Sequence, residues 1–131
     1  MMKILIVEDD YLVATSLKFV IETMGYNVVG VADDIASAVN EAVRTHPQLA
    51  FVDIQLAQGD SGLDAAAELQ KRGVICIFLT GNPPGGPRPD LALGCLPKPF
   101  SDVALAAAIK IAGAVIEGLP LPKAPIDLEL Y

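Results

Sequence analysis

The chain is 131 residues long, enough for one domain with a real hydrophobic core and too short for two of ordinary size. Its 53% hydrophobic content excludes pervasive disorder, and no uninterrupted apolar run approaches the ~18 residues of a membrane span. A net charge of −7, with nine Lys and Arg scattered along the chain, excludes nucleic-acid binding by counterion release.

In chain order, Met1-Met2-Lys3 leads into only four apolar residues, too few for a signal-peptide core, so a cytoplasmic location is expected. Lys3-Ile4-Leu5-Ile6-Val7 is the continuous apolar run of a strand covered on both faces. Val13, Leu17, Val20, Ile21 and Met24 recur at helical spacing, with Gly25 as the stop. Asn27 to Val31 is a second strand. Asp34 can cap a helix whose stripe is Ile35, Ala38, Val39, Ala42 and Val43, ending near His46-Pro47. Leu49 to Val52 is a third buried strand that delivers Asp53 at its carboxyl end. A helix is expected from about Ser61 to Arg72, with Leu63, Ala66, Ala67 and Leu69 inward. Val74 to Leu79 is the fourth strand and delivers Thr80.

The stretch from Gly81 to Gly94 holds four of the ten prolines and resists a helix. A segment of that length without regular structure usually has a functional use. Cys95-Leu96-Pro97 is a short fifth strand, expected at the sheet edge because of its proline. Ser101 caps a last helix to about Glu117. Strands alternating with helices imply right-handed crossovers and a doubly wound α/β domain over residues 1–117, with a five-stranded parallel sheet. Residues 118–131 form a Pro-rich C-terminal tail in which Ile126, Leu128 and Leu130 alternate with acids at strand period, a pattern expected to fold back on the domain. Cys76 and Cys95 sit in apolar stretches as buried thiols, and with His46 the single histidine there is no zinc site.

Ligands of such sheets bind outside the carboxyl ends of the strands, near the point where strand order reverses. Strand one delivers Glu8 and Asp9, strand three Asp53, strand four Thr80, and strand five Lys98. Carboxylates about 4 Å apart repel by on the order of 4 kcal/mol per pair at an effective dielectric of 20, so such a cluster raises a pKa or binds a hard cation. All-oxygen ligation suits Mg²⁺, and an ionised Asp53 can then act as nucleophile toward a phosphoryl donor while Lys98 neutralises charge. Asp10 is expected to cap the first helix, and Asp60 and Asp64 to cap and solvate the third. His46 closes the second helix, and Tyr11 covers the acidic run.

Ile4-Leu-Ile-Val-Glu-Asp-Asp10, Phe51-Val-Asp-Ile-Gln-Leu56, Leu79-Thr-Gly81 and Leu96-Pro-Lys-Pro-Phe100 together resemble the receiver domain of bacterial two-component response regulators, from about Lys3 to Glu117. The resemblance implies the flavodoxin-like receiver fold, with Asp53 as phosphoacceptor and Thr80 and Lys98 assisting. It implies Mg²⁺ held directly by Asp9, Asp53 and the Gln55 carbonyl, and through water by Glu8. It implies a cis peptide before Pro99, and places Gln55 and Asn82 where the lifetime of the aspartyl phosphate is tuned. A sensor histidine kinase or phosphotransfer protein would be the partner, with no nucleic acid and no membrane involved. The chain would not be an enzyme beyond its own phosphorylation and dephosphorylation.

Two departures stand out. Receivers usually carry Tyr or Phe three residues before the lysine, as a switch coupled to the threonine; Cys95 stands there. The segment between Thr80 and Lys98 is short, so the fourth helix is expected to be short or missing, which removes material from the usual dimer face. Phe-Leu-Thr-Gly without the aromatic is similar to the stand-alone receivers of the FAT-GUY type. Rival readings are a pseudo-receiver scaffold that is never phosphorylated, and a small Mg²⁺-dependent phosphohydrolase with an aspartyl intermediate. The second acid of an Asp-x-Asp nucleophile strand is missing at Gln55, which weighs against the hydrolase. A nucleotide-binding flavodoxin-like protein lacks its glycine-rich loop.

Overall fold

The computed structural model describes residues 2–81, 85–125 and 127–131. Its strands are β1 (Lys3–Val7), β2 (Asn27–Ala32), β3 (Leu49–Val52), β4 (Ile75–Thr80), β5 (Gly94–Pro97) and β6 (Glu129–Leu130). Its helices are α1 (Tyr11–Thr23), α2 (Ile35–Thr45), α3 (Gly62–Gln70) and α4 (Asp102–Glu117). The sheet order is β2-β1-β3-β4-β5-β6, so β1 lies between the strand that follows it and the strand after that. The reversal of strand order therefore falls at β1 and β3, whose carboxyl ends carry the acids.

Side chains alternate between two cores, as strand geometry requires. Ile4, Ile6, Leu49, Phe51, Ile77, Leu79 and Leu96 face α1 and α4. Leu5, Val7, Ala50, Val52, Cys76, Phe78 and Cys95 face α2 and α3. Strands apolar at every position are thus explained by helices on both sides of the sheet. Each fully buried Phe or Ile contributes roughly 1.5–3 kcal/mol. Among the described residues, no helix is long and apolar enough to cross a membrane.

Caps set the helix starts. Asp10 accepts from the Leu12 and Val13 amides, Asp34 and Ser37 form a capping box, and Ser101 accepts from the Ala104 amide. His46 ends α2 in the left-handed conformation at φ 51°. Two inward stripes differ from expectation. Val43 is exposed at the flank of α2, whose buried residues are Ala38 and Ala42. In α3, Ala65 rather than Leu63 is fully buried beside Ala66 and Leu69, because small side chains let α3 lie close to the sheet.

The sheet has six strands rather than the expected five, and it is not wholly parallel. β6 runs antiparallel to β5, pairing Leu130 with Gly94 and Glu129 with Cys95. β5 is consequently an inner strand over those residues, although its proline suggested an edge. The tail folds back as its alternation implied: Leu128 is buried, and Ile126 lies outside the described residues. Between β4 and β5, no described residue is helical. Leu91 and Ala92 are instead buried through a turn, their amides donating to the Arg88 carbonyl, and they occupy the space a helix would cover.

At the opposite border, β2 carries a bulge: the register shifts between Ile4 and Leu5, leaving Val29 unopposed. Arg44 from α2 donates to the Val29 carbonyl and pairs with Glu41, whose carboxylate lies over Gly30.

Candidate functional site

Two backbone hydrogen bonds carry the ladder past the ends of β1 and β3. The Glu8 amide donates to Ala32 O (2.8 Å) and the Asp53 amide to Val7 O (2.9 Å). These bonds lock Glu8 and Asp53 side by side across the crevice. The Asp10 cap then turns the chain into α1 directly behind Asp9, which leaves Asp9 exposed beside them. One carboxylate oxygen from each of Glu8, Asp9 and Asp53 falls within a set whose members are all within 4.8 Å of one another.

Lys98 reaches this cluster from the end of β5. Its Nζ donates to Glu8 Oε2 (3.0 Å) and to Asp53 Oδ2 (3.1 Å). The Lys98 amide donates to the Thr80 carbonyl (2.8 Å), so the ends of β4 and β5 are tied at the same place. Thr80 is the last residue of β4 and is 2% exposed. The Lys98-Pro99 peptide is cis, as expected. Asp9, Asp53, Thr80 and Lys98 thus come from four strand ends to one edge of the sheet.

The loop after Asp53 is folded tightly against it. The Gln55 amide donates to Asp53 Oδ1 (3.2 Å), Gln55 bridges Ser61, and the Gly62 amide donates to Ile54 O (2.6 Å). A Cβ on Gly62 would lie 2.0 Å from the Asp53 carbonyl oxygen, so only glycine fits there. Asp60 does not cap α3; Ser61 does. The Asp60 carboxylate instead accepts from the Ile35 amide (2.9 Å) at the start of α2, and the Ala57 amide donates to Asp33 O (3.0 Å). The loop bearing Gln55 is therefore moored to the junction of β2 and α2. Asp64 stands in the first turn of α3.

Burial dominates the electrostatics. Glu8, 4% exposed, has its pKa pushed up to about 7 by desolvation; the Lys98 hydrogen bond opposes this, and Asp53 adds to it. Burial disfavours the Lys98 ammonium, but its hydrogen bonds to Glu8 and Asp53 outweigh that and the net shift is upward. The site has the chemistry of a cation receptacle: hard oxygen donors with more negative charge than one ammonium neutralises.

Sequence reasoning missed Gly62, whose only signal is a poor helix former at a helix start. It missed the Asp60 mooring, which spans 25 residues. Tyr11 is 78% exposed and lines a shallow cleft of about 260 Å³ with Glu8, Asp9 and Asp33. Cys76 and Cys95 are free, buried thiols. Asn82 lies outside the described residues.

A family model for the response regulator receiver domain matches residues 4–110. The phyllosphere-induced regulator PhyR of Methylorubrum extorquens is 42% identical over 112 residues, covering 82% of this chain and 42% of that protein. The solution structure of the Erythrobacter litoralis PhyR receiver domain superposes with a TM-score of 0.78 at 29% identity, covering 95% of this chain and 96% of that one. The Bartonella quintana PhyR, described as an anti-anti-sigma factor, gives a TM-score of 0.77 at 30% identity over 88% of this chain and 49% of that one. The chain spans less than half the length of the Methylorubrum relative.

Proposed function

The chain belongs to the response regulator receiver domain family, and from that premise we propose that it takes a phosphoryl group onto Asp53 and signals through protein contacts. The observation that carries this reading is the Lys98 ammonium set 3.1 Å from Asp53 Oδ2, with Glu8 and Asp9 clustered beside it. A carboxylate so placed lies next to the cation that its phosphorylated form needs.

An Asp53 carboxylate oxygen attacks phosphorus of a phosphohistidine on a sensor kinase or phosphotransfer protein. The O–P bond forms and the P–N bond breaks, with the electron pair left on the imidazole nitrogen, which takes a proton from solvent. Lys98 balances charge on the phosphoryl oxygens, and the Thr80 hydroxyl donates to one of them. Hydrolysis reverses the state: water attacks phosphorus, the aspartyl O–P bond breaks, and inorganic phosphate leaves. The chain's only catalysis is on itself.

Glu8, Asp9 and Asp53 fit a Mg²⁺ site in donor chemistry and mutual distance, and by the family's pattern the Gln55 carbonyl would be a further ligand. Bound there, the ion would add to the positive charge that Lys98 supplies. Phosphorylation replaces the single carboxylate charge at Asp53 by an acyl phosphate of about −1.5 to −2 with three acceptor oxygens, around which Thr80 and Lys98 rearrange.

Incubation with acetyl phosphate and MgCl₂ tests the reading by intact mass. One phosphoryl group should add to wild type and none to Asp53→Asn. An unmodified wild type, or an equal gain on the variant, overturns it.

A further inference from the structure

The last residues of the sequence close on the side of the sheet opposite β2, and their contacts are few and specific. β6 contributes a two-residue ladder with Gly94 and Cys95, and the Tyr131 amide extends it by donating to Leu93 O (2.9 Å). Gly94 makes this possible, since a Cβ there would stand 2.4 Å from the Glu129 carbonyl oxygen. Leu128 and Leu130 enter the core that faces α1 and α4, while Tyr131 enters the core that faces α2 and α3. The segment therefore straps over the rim of the sheet with one anchor on each face.

The Tyr131 anchor meets the two strands that end in the functional site. Its ring centroid is 6.5 Å from that of Phe78, tilted by 56°. The Cys95 thiol lies beside the Tyr131 hydroxyl, and burial pushes the pKa of both groups up. Phe78 lies directly opposite Cys95 in the β4–β5 register. Two residues beyond Phe78 on the same strand face is Thr80, and three beyond Cys95 is Lys98. Tyr131 thus rests on a platform whose far end holds the phosphoryl-binding groups.

We propose that residues 128–131 are a detachable strap whose docking on β5 is coupled to the phosphoryl state of Asp53, phosphorylation favouring release. The proposal rests on the phosphoacceptor reading above. A two-residue ladder is far from independently stable, so the docked strap sits at the low end of the local stabilities in this fold. When Thr80 and Lys98 move toward a phosphoryl group, Phe78 and Cys95 shift with the strands that carry them. A strap fitted to one arrangement of that pair binds the other less well, and only this difference in affinity is needed to move the population. Release uncovers the rim of β5 and one wall of the roughly 390 Å³ cavity that Tyr131 lines with Cys76, Leu91 and Leu93. Linkage makes the effect reciprocal, so loosening the strap must favour phosphorylation.

The test uses the full chain in a Cys76→Ala background and measures thiol labelling of Cys95, with phosphoryl occupancy read by mass in the same samples. Acetyl phosphate with MgCl₂ should raise the Cys95 labelling rate by about tenfold. Tyr131→Ala should give a comparable rate without it, and Asp53→Asn should abolish the response. Hydrogen exchange of the Tyr131 amide in wild type supplies a reading that needs no tail variant, and it should accelerate on phosphorylation. If Asp53 gains its phosphoryl group while Cys95 labelling and Tyr131 exchange stay constant, the strap proposal is wrong and the phosphoacceptor reading stands. If no phosphoryl group is gained, both fall.

Discussion

Lys98 and Asp53, 45 residues apart in sequence, meet with Nζ 3.1 Å from Oδ2, and the same ammonium lies 3.0 Å from Glu8. One cation thus already serves two of the three clustered carboxylates. Any metal ion that binds there shares them with a resident positive charge.

Removing that charge should separate metal binding from phosphoryl chemistry. Lys98→Met is expected to bind Mg²⁺ more tightly, on the order of tenfold, since a like charge sharing the same carboxylates is gone. The same variant should take up a phosphoryl group from acetyl phosphate at least ~100-fold more slowly, having lost its charge-neutralising group. Calorimetric titration with MgCl₂ and mass-resolved uptake kinetics measure the two effects. Weaker Mg²⁺ binding in the variant would contradict the shared-carboxylate picture.

Glu8 predicts a pH dependence of stability in chelated protein. Its folded-state pKa is about 7 against an ordinary value of 4.5, so between these pH values the native state holds a proton that the unfolded chain has lost. The contribution of Glu8 is present below pH 4.5 and is lost as pH rises through 7. The slope approaches about 1.4 kcal/mol per pH unit and the total roughly 3 kcal/mol. Urea unfolding in EDTA from pH 5 to 8 should show this fall in wild type and not in Glu8→Gln. Saturating Mg²⁺ should flatten it, because the ion favours the ionised carboxylate.

Gly62 offers a substitution whose sign separates helix propensity from close approach. Propensity alone would make Gly62→Ala stabilising by up to about 1 kcal/mol. Because the new Cβ would meet the Asp53 carbonyl at 2.0 Å, the variant should instead lose at least ~2 kcal/mol by chemical unfolding. A stabilised variant would show that the loop after Asp53 can yield.

Asp60→Ala should cost about 1 kcal/mol of stability by removing the acceptor of the Ile35 amide. Asp60→Asn keeps an acceptor oxygen and should recover most of it. Equal losses in both variants would mean that charge at the start of α2, rather than the hydrogen bond, is what counts.

Ile4 to Val7 and Leu49 to Val52 were legible as buried strands because every position is apolar, and an acid directly after each run exposes the site. Lys98 and Thr80 were legible for the same reason, each closing a short apolar run. The strap was legible only as an alternation in the tail. Its seat depends on Gly94, over thirty residues away, and a two-residue pairing leaves no periodic trace. Asp60 misled because an acid just before Ser61 has the form of a local cap, whereas the donor it serves is on another helix. The missing helix before β5 followed from proline content, but Leu91 and Ala92 as its substitute did not, since a buried turn has no repeat.

The arrangement at the two borders of the sheet has a consequence for self-association. An open strand end is where one sheet grafts onto another, and a chain this rich in apolar β-structure is exposed to that hazard. On one border the chain's own tail occupies the hydrogen-bonding groups of Gly94 and Cys95. On the other, the bulged Val29 carbonyl is taken by Arg44 under an ion pair with Glu41. Loss of the tail by proteolysis would open the β5 border to strand addition.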